Sequence, residues 1–488
     1  MLRPFLYTFS LLYLFISIPS FVFSQSIGEI TWTDSFLNEE DQIYSDRLKF
    51  GYLTVPEDYK KPEGRQLQIA FIVIKASVNN ANKDACMYFM GGWGSRTLKN
   101  LTYYQHHFLS YQRDLILYDY RGTGYSEPKL CSDLGEHVFQ NLLANISFPE
   151  FEERQQEIFD DCLNSLVQQG VDFNQYGSNN KGKDGVLLAQ ALGYESYNLF
   201  GVSYGTKTIL QFIRQSTVNI RSVVLDSNCP LDFPINAGMT EDYAKSLNSI
   251  LAACANDPTC SRKYPTLKER LLSFLASLDQ KPLKIKLPKS RVAYLNRQEM
   301  NGVIHQLLYN EQGYGMLPFL LKKISQRKKF ILKRIIWDLE DVLKENYNAA
   351  GLINYVYDHK AFQQKAVSIS QKSIEQYPVL QVFDGYQRYY LEDNRFLLDS
   401  LSTQMIQTDI PALILAGAYD PVTPVYYSKR LLPYFSKHFY VEFPQTGHGV
   451  TDNPCGDHIA ENFLNDLEDP YDNPCMQKIQ TQQIVFDR

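Results

Sequence analysis

A serine stands between two glycines in NLFGVSYGTKTIL, residues 198–210, where an apolar run meets a helix-like stretch. At an ordinary strand end Gly-x-Ser-x-Gly is only a turn. Between a buried strand and a helix it is the arrangement that exposes a nucleophilic hydroxyl, because Gly201 and Gly205 permit a turn too tight for a Cβ. The helix starting near Tyr204 would aim free N–H groups and its positive dipole end at the place where an oxyanion forms. A hydroxyl nucleophile also needs a base, and the base needs a partner that holds its tautomer. Asp420 in LAGAYDPVTP and His448 in VEFPQTGHGV each follow a strand-like run. Alone, Asp420 is a turn cap and His448 a loop residue. In the order Ser, Asp, His at strand ends, they read as nucleophile Ser203, orienting acid Asp420 and base His448. A second glycine-rich segment, YFMGGWGSRT, offers the N–H of Gly92 to join that of Tyr204 in an oxyanion hole, with Trp93 as the alternative donor. There is no Cys-x-x-Cys and no His-Glu-x-x-His, and His106 and His107 read as ordinary surface, so neither a metal nor a cofactor is expected.

Positioning these residues requires strands at 48–55, 67–76, 86–90, 114–120, 197–202, 220–226, 411–417 and 438–444. Several are continuously apolar, the pattern of strands buried on both faces. Helical stretches such as 183–193 and 204–216 separate the later ones, which implies a mostly parallel sheet covered on both sides. The expected class is α/β, an α/β-hydrolase fold with eight strands, since that architecture uses the chain order Ser, Asp, His. From about 231 to 405 the periodicity turns helical with few strand signals. This divides the chain into a first core part (25–230), an inserted helical cap (231–405) and a final core part (406–488). The basic stretch LLKKISQRKKFILKRIIWDLEDVLKE reads as one solvated face of a helix rather than a nucleic-acid or lipid site.

A chain of 488 residues with 44% hydrophobic content can bury a large core, and its net charge of −6, with both signs interspersed, excludes nucleic acid as a partner. The first residues carry Arg3, an apolar run and then Ser24, the order of a signal peptide spanning 1–24. The run approaches the roughly 20 residues of a membrane anchor, but Pro19 and the scattered serines favour cleavage. A secreted or periplasmic location follows, with no stable membrane insertion after cleavage. Eight cysteines fit an oxidising compartment. Proximity points to Cys131 with Cys162, Cys254 with Cys260 and Cys455 with Cys475, leaving Cys86 and Cys229, although other connectivities stay open. Asn100 and Asn145 lie in Asn-x-Ser/Thr sequons.

LTVPEDYKKPEGRQLQIAFIVIKA, LYDYRGTGYSEPKLC (with Asp119, Arg121, Gly122, Gly124 and Ser126), LGYESYNLFGVSYGT and CANDPTCSRKYP together resemble the secreted tripeptidyl aminopeptidases and their relatives, the prolyl iminopeptidases. Tyr204 and Thr206 point to the tripeptidyl branch, since prolyl iminopeptidases usually have tryptophan after the serine. The resemblance implies a serine exopeptidase that takes peptides with free amino termini, assigns Ser203, Asp420 and His448 as its triad, and supports the 254–260 and 455–475 pairings. It departs from the family at Trp93, where the donor loop usually has proline, and at Phe50, where a cysteine often stands. Glu241 and Asp242 are candidates for pairing the substrate ammonium. Acids in a helix's first turn also serve its dipole, so they stay outside the catalytic set. The same triad cleaves esters, so an esterase is the alternative, and a non-catalytic binding protein is the third reading.

Overall fold

The computed structural model describes residues 26–488 apart from 39–44, 79–82, 236, 310, 347, 383–392, 398, 400, 482–483 and 487–488. The expected signal peptide, 1–24, therefore lies outside the described residues.

In chain order the strands of the main sheet are β1 (Ile30–Thr33), β2 (Leu48–Pro56), β3 (Gln66–Ile74), β4 (Ala85–Phe89), β5 (Asp114–Tyr118), β6 (Tyr197–Val202), β7 (Ile220–Asp226), β10 (Ala412–Gly417) and β11 (His438–Phe443). They are ordered β1-β2-β3-β5-β4-β6-β7-β10-β11. From β5 to β11 every neighbour is parallel, whereas β1, β2 and β3 join antiparallel. Among the described residues the sheet thus has nine strands, one more than the eight expected. The addition, β1, is four residues of ITWT on the sheet's edge with no fully buried position, too short and too exposed for a burial pattern to reveal.

Alternate side chains of the central strands feed two cores. Phe71, Val73, Phe89 and Phe212 lie on one face, and Ile72, Ile74, Phe200 and Phe463 on the other. The flanking helices of the first part are α1 (Leu101–Tyr104), α2 (Leu134–Leu142), α3 (Phe148–Gln168), α4 (Ser178–Leu192) and α5 (Tyr204–Gln215).

Between β7 and β10 lie α6 (Met239–Asn256), α7 (Pro258–Lys263), α8 (Leu267–Ser277), α9 (Arg297–Leu307), α10 (Leu317–Ser325), α11 (Lys329–Asn346), α12 (Ala349–Lys360) and α13 (Gln363–Gln376). Most of them enclose a separate core containing Leu247, Leu271, Leu275, Met300, Ile304 and Leu321, which Phe139 and Leu143 join from α2 and its C-cap, whereas α12 gives Ala349, Leu352, Ile353 and Val356 to the core on the first face of the sheet. A hairpin of β8 (Leu283–Lys286) and β9 (Val292–Leu295) interrupts the helices, and its strands are short enough to escape a reading of periodicity.

Disulfides join Cys131 to Cys162 and Cys254 to Cys260, while Cys86 and Cys229 are free and buried. The expected bond between Cys455 and Cys475 is not formed. The two thiols are close neighbours, because the N-terminal ends of two helices, Pro454–Asp466 and Cys475–Thr481, bring them together.

Candidate active site

Ser203 follows β6 with φ 56° and ψ −127°, a conformation that costs a non-glycine residue energy and persists only when its surroundings impose it. Its N–H donates to the Asp226 carbonyl (2.9 Å), and its carbonyl accepts from the N–H (3.0 Å) and hydroxyl (2.7 Å) of Thr206. Helix α5 presses so closely on the end of β4 that a Cβ on Gly205 would lie 1.9 Å from the Phe89 carbonyl oxygen. Gly205→Ala is accordingly expected to cost about 2–3 kcal/mol, read as a lower melting temperature. An unchanged transition would contradict this packing.

The loop after β11 carries His448, whose Nδ1 lies 2.8 Å from Asp420 Oδ2. Asp420 also accepts from the N–H groups of Val422 (2.7 Å) and Thr423 (2.8 Å) and from the Thr423 hydroxyl (2.7 Å). Burial alone would raise the Asp420 pKa, but the charge and hydrogen bond of His448 and the Thr423 donors outweigh it, so the carboxyl stays below its ordinary value. Burial likewise pulls His448 down, and the charge and hydrogen bond of Asp420 more than restore it, leaving it above its ordinary 6.5. With Nδ1–H assigned to the Asp420 bond by this network, Nε2 is left as the basic nitrogen.

Ser203, His448, Gly91, Gly92, Trp93 and Tyr204 line one cavity of about 800 Å³. The Ser203 side chain is within hydrogen-bonding reach of the Cys229 thiol, which burial keeps protonated. The cavity lining also includes the apolar side chains of Phe139, Leu142, Phe159, Leu295 and Ile336.

Two clamps around these residues escape sequence reasoning. Asp226, at the end of β7, accepts the Ser203 N–H through its carbonyl, while its carboxylate accepts from the N–H groups of Val450 (2.9 Å) and Thr451 (2.8 Å), the Thr451 hydroxyl (2.7 Å) and the Ser227 hydroxyl (3.0 Å). The Ser227 hydroxyl in turn accepts from the N–H of Gly449 (2.9 Å). The elbow and the histidine loop therefore hang from one residue. The available signal is an acid closing the apolar run of VVLD at the end of β7.

The second clamp holds the glycine-rich loop. The Trp93 carbonyl accepts from Lys181 Nζ (2.8 Å) and Asn354 Nδ2 (3.3 Å), and the Gly94 carbonyl from Asn348 Nδ2 (2.9 Å). Asn354 Oδ1 also accepts the Tyr204 hydroxyl (3.2 Å). The Trp93 ring packs on Tyr204, Tyr355 and His359, so the bulky residue in the proline position is absorbed by α12. Burial pushes Lys181 down to about 7.

Glu241 and Asp242 are not brought to this cavity. Glu241 pairs with Lys245 (2.6 Å), and buried Asp242 accepts from the Tyr426 hydroxyl (3.4 Å). Among the described residues the carboxylates that line it are Asp452 and Glu299, and Glu299 caps its own helix by accepting the Asn296 N–H (3.0 Å). Burial raises Glu299 to about 7, and burial with the nearby charge of Asp226 raises Asp452 to about 6. Among the described residues no cluster of three or more His, Cys, Asp or Glu side chains forms a metal site, and no helix is long and apolar enough to cross a membrane.

The strand order, the sharp turn after β6 and the loops after β4, β10 and β11 define an α/β-hydrolase. Residues 399–475 match the family model described as TAP-like protein. Over 193 residues the chain is 28% identical to the tripeptidyl aminopeptidases of Streptomyces lividans and Streptomyces coelicolor, covering 37% of this chain. The chain matches only 35% of the length of these curated relatives. It is 21% identical over 441 residues, 84% of each chain, to the putative hydrolase YuaR of Escherichia coli. Similar solved structures include the α/β hydrolase MGS-M2 from a Medee basin deep-sea metagenome library (12% identity, TM-score 0.36, 83% of this chain and 97% of that one). A thermophilic esterase from Thermogutta terrifontis is another (12% identity, TM-score 0.35, 88% and 98%). The TAP-like match and the Streptomyces similarities support the family resemblance read from the motifs.

Proposed function

We propose that this protein is an exported serine aminopeptidase in which Ser203 is the nucleophile, His448 the general base, Asp420 its orienting acid, and the N–H groups of Gly92 and Tyr204 the oxyanion hole. The observation that carries the reading is the meeting, on one cavity, of a serine on a strained turn, a carboxylate-held histidine and a buttressed glycine loop. His448 Nε2 takes the Ser203 proton as Oγ attacks a peptide carbonyl, then protonates the leaving amine, and water repeats the sequence on the acyl-enzyme. The helices between β7 and β10, within 231–405, form the cap that limits access. Asp452 replaces Glu241 and Asp242 as the carboxylate to pair a substrate ammonium, since Glu299 is engaged in capping its own helix, accepting the Asn296 N–H (3.0 Å).

The test is hydrolysis of fluorogenic peptides one to three residues long, each with a free or an acetylated amino terminus. Cleavage restricted to the free-amine set supports the aminopeptidase, and the preferred length measures the space beneath the cap. The apolar side chains among the cavity lining favour a second reading, an esterase acting on hydrophobic acyl groups. Equal cleavage of blocked peptides or simple esters would select it.

Because the base must be neutral, kcat/KM falls as the pH drops through the His448 pKa. Since that pKa is raised, the acidic limb is expected to have its midpoint above 6.5. An acetylated or ester substrate, if turned over at all, removes the substrate amine's own titration from this measurement. A midpoint below 6.5 would contradict the charge balance around His448.

A further inference from the structure

From residue 312 to 337 the chain carries seven lysines and arginines and no acid, within a protein of net charge −6. The fold sorts this segment by face. Leu321, Ile324, Leu332 and Ile336 turn inward, whereas Lys328, Lys329, Phe330, Lys333, Arg334 and Trp337 are exposed. Phe330, Lys333, Arg334 and Trp337 occupy positions i, i+3, i+4 and i+7 of α11 and share one side of it. Arg334 pairs with Asp338 (2.9 Å), while Lys328, Lys329 and Lys333 make no ion pair among the described residues. Phe330 is 84% exposed and Trp337 45%.

A merely solvated helix face explains the cations but not the two aromatic rings. The acids of α11, Asp338, Glu340, Asp341 and Glu345, all follow Trp337, so the basic patch is confined to residues 328–337. We propose that this patch, the start of α11 and the residue before it, docks this protein on an anionic lipid bilayer, with the lysines on the headgroups and the rings of Phe330 and Trp337 at the headgroup–acyl boundary. Basic side chains are attracted to an anionic leaflet, each strengthening adsorption about fivefold, and aromatic rings prefer the boundary layer. A soluble polyanion would satisfy the lysines but gives the two rings nothing to enter. The inward face of the same helix contributes Ile336 to the cavity wall, so docking lays that wall of the cavity against the membrane. The proposal is independent of which bond the enzyme cleaves.

The test is co-sedimentation of the protein with phosphatidylcholine vesicles with and without phosphatidylglycerol. Partition is expected to be at least about tenfold stronger on the anionic vesicles and to weaken with salt. Bromine-labelled acyl chains should quench tryptophan emission, and Trp337→Phe should remove that quenching while Trp32 and Trp93 remain. Lys328→Glu with Lys329→Glu and Lys333→Glu, or Phe330→Ser with Trp337→Ser, should each weaken partition at least about tenfold. Both should leave hydrolysis of a soluble substrate unchanged, which certifies folding. Three results would overturn the proposal: equal partition on neutral and anionic vesicles, charge-dependent binding without quenching and insensitive to the aromatic variant (adsorption to any polyanion), or self-association lost in that variant without lipid binding.

Discussion

Ser203→Ala is expected to lower kcat by about 10⁴- to 10⁶-fold, the range that follows loss of a nucleophile when the oxyanion hole and binding remain. Stability should hardly change, because the hydrogen bonds that hold its strained backbone run to Asp226 and Thr206, and alanine keeps both. His448→Ala should cost a similar factor, and the double variant little more than either single one, since nucleophile and base act as a unit. A fluorophosphonate probe should label the wild type at Ser203 and leave the variant unlabelled. Retained hydrolysis by a stably folded Ser203→Ala would remove the proposed chemistry altogether, whatever the substrate.

The second large effect is expected at Asp226. Its carboxylate accepts four hydrogen bonds from Ser227, Val450 and Thr451, and hydrogen bonds to a charged group contribute about 1.5–3 kcal/mol each without adding fully. Asp226→Asn keeps the shape but turns an NH₂ group toward donors, so a loss of about 3–5 kcal/mol of stability is expected. The histidine loop would loosen at the same time, and a misplacement of about 1 Å can cost about 10²-fold in rate. The expected pattern is a fall in kcat with KM little changed. Asp226 is also one of the charges that raise His448, so its neutralisation should shift the acidic limb of the pH profile downward. A variant with a lower melting temperature but wild-type kcat and pH profile would make Asp226 purely structural.

The elements around Ser203, Asp420 and His448 were legible in the sequence for a local reason. Ser203 and Asp420 lie just past the buried apolar strands β6 and β10, His448 lies in the loop after β11, and the tight turn at Ser203 imposes glycine at 201 and 205. The long central strands were legible because burial on both faces leaves an unbroken apolar run. Short elements were not: β1 shows no buried position, and the β8–β9 hairpin pairs only four residues per strand.

What the sequence by itself determined is the α/β class, the placement of a serine, an acid and a histidine at strand ends, and the helical character of the stretch before β10. Only the tertiary structure decided which side chains surround them. Asp226 reaches Thr451 across 225 positions, and Asn354 reaches Trp93 across 261. Glu241 and Asp242 carry the right charge for a substrate ammonium, yet packing engages them with Lys245 and Tyr426 away from the cavity, whose lining carries Asp452 and the helix-capping Glu299. Spacing along a chain constrains the residues that share one turn or one strand. Contacts over hundreds of positions depend on how whole elements pack, and local sequence carries no record of that.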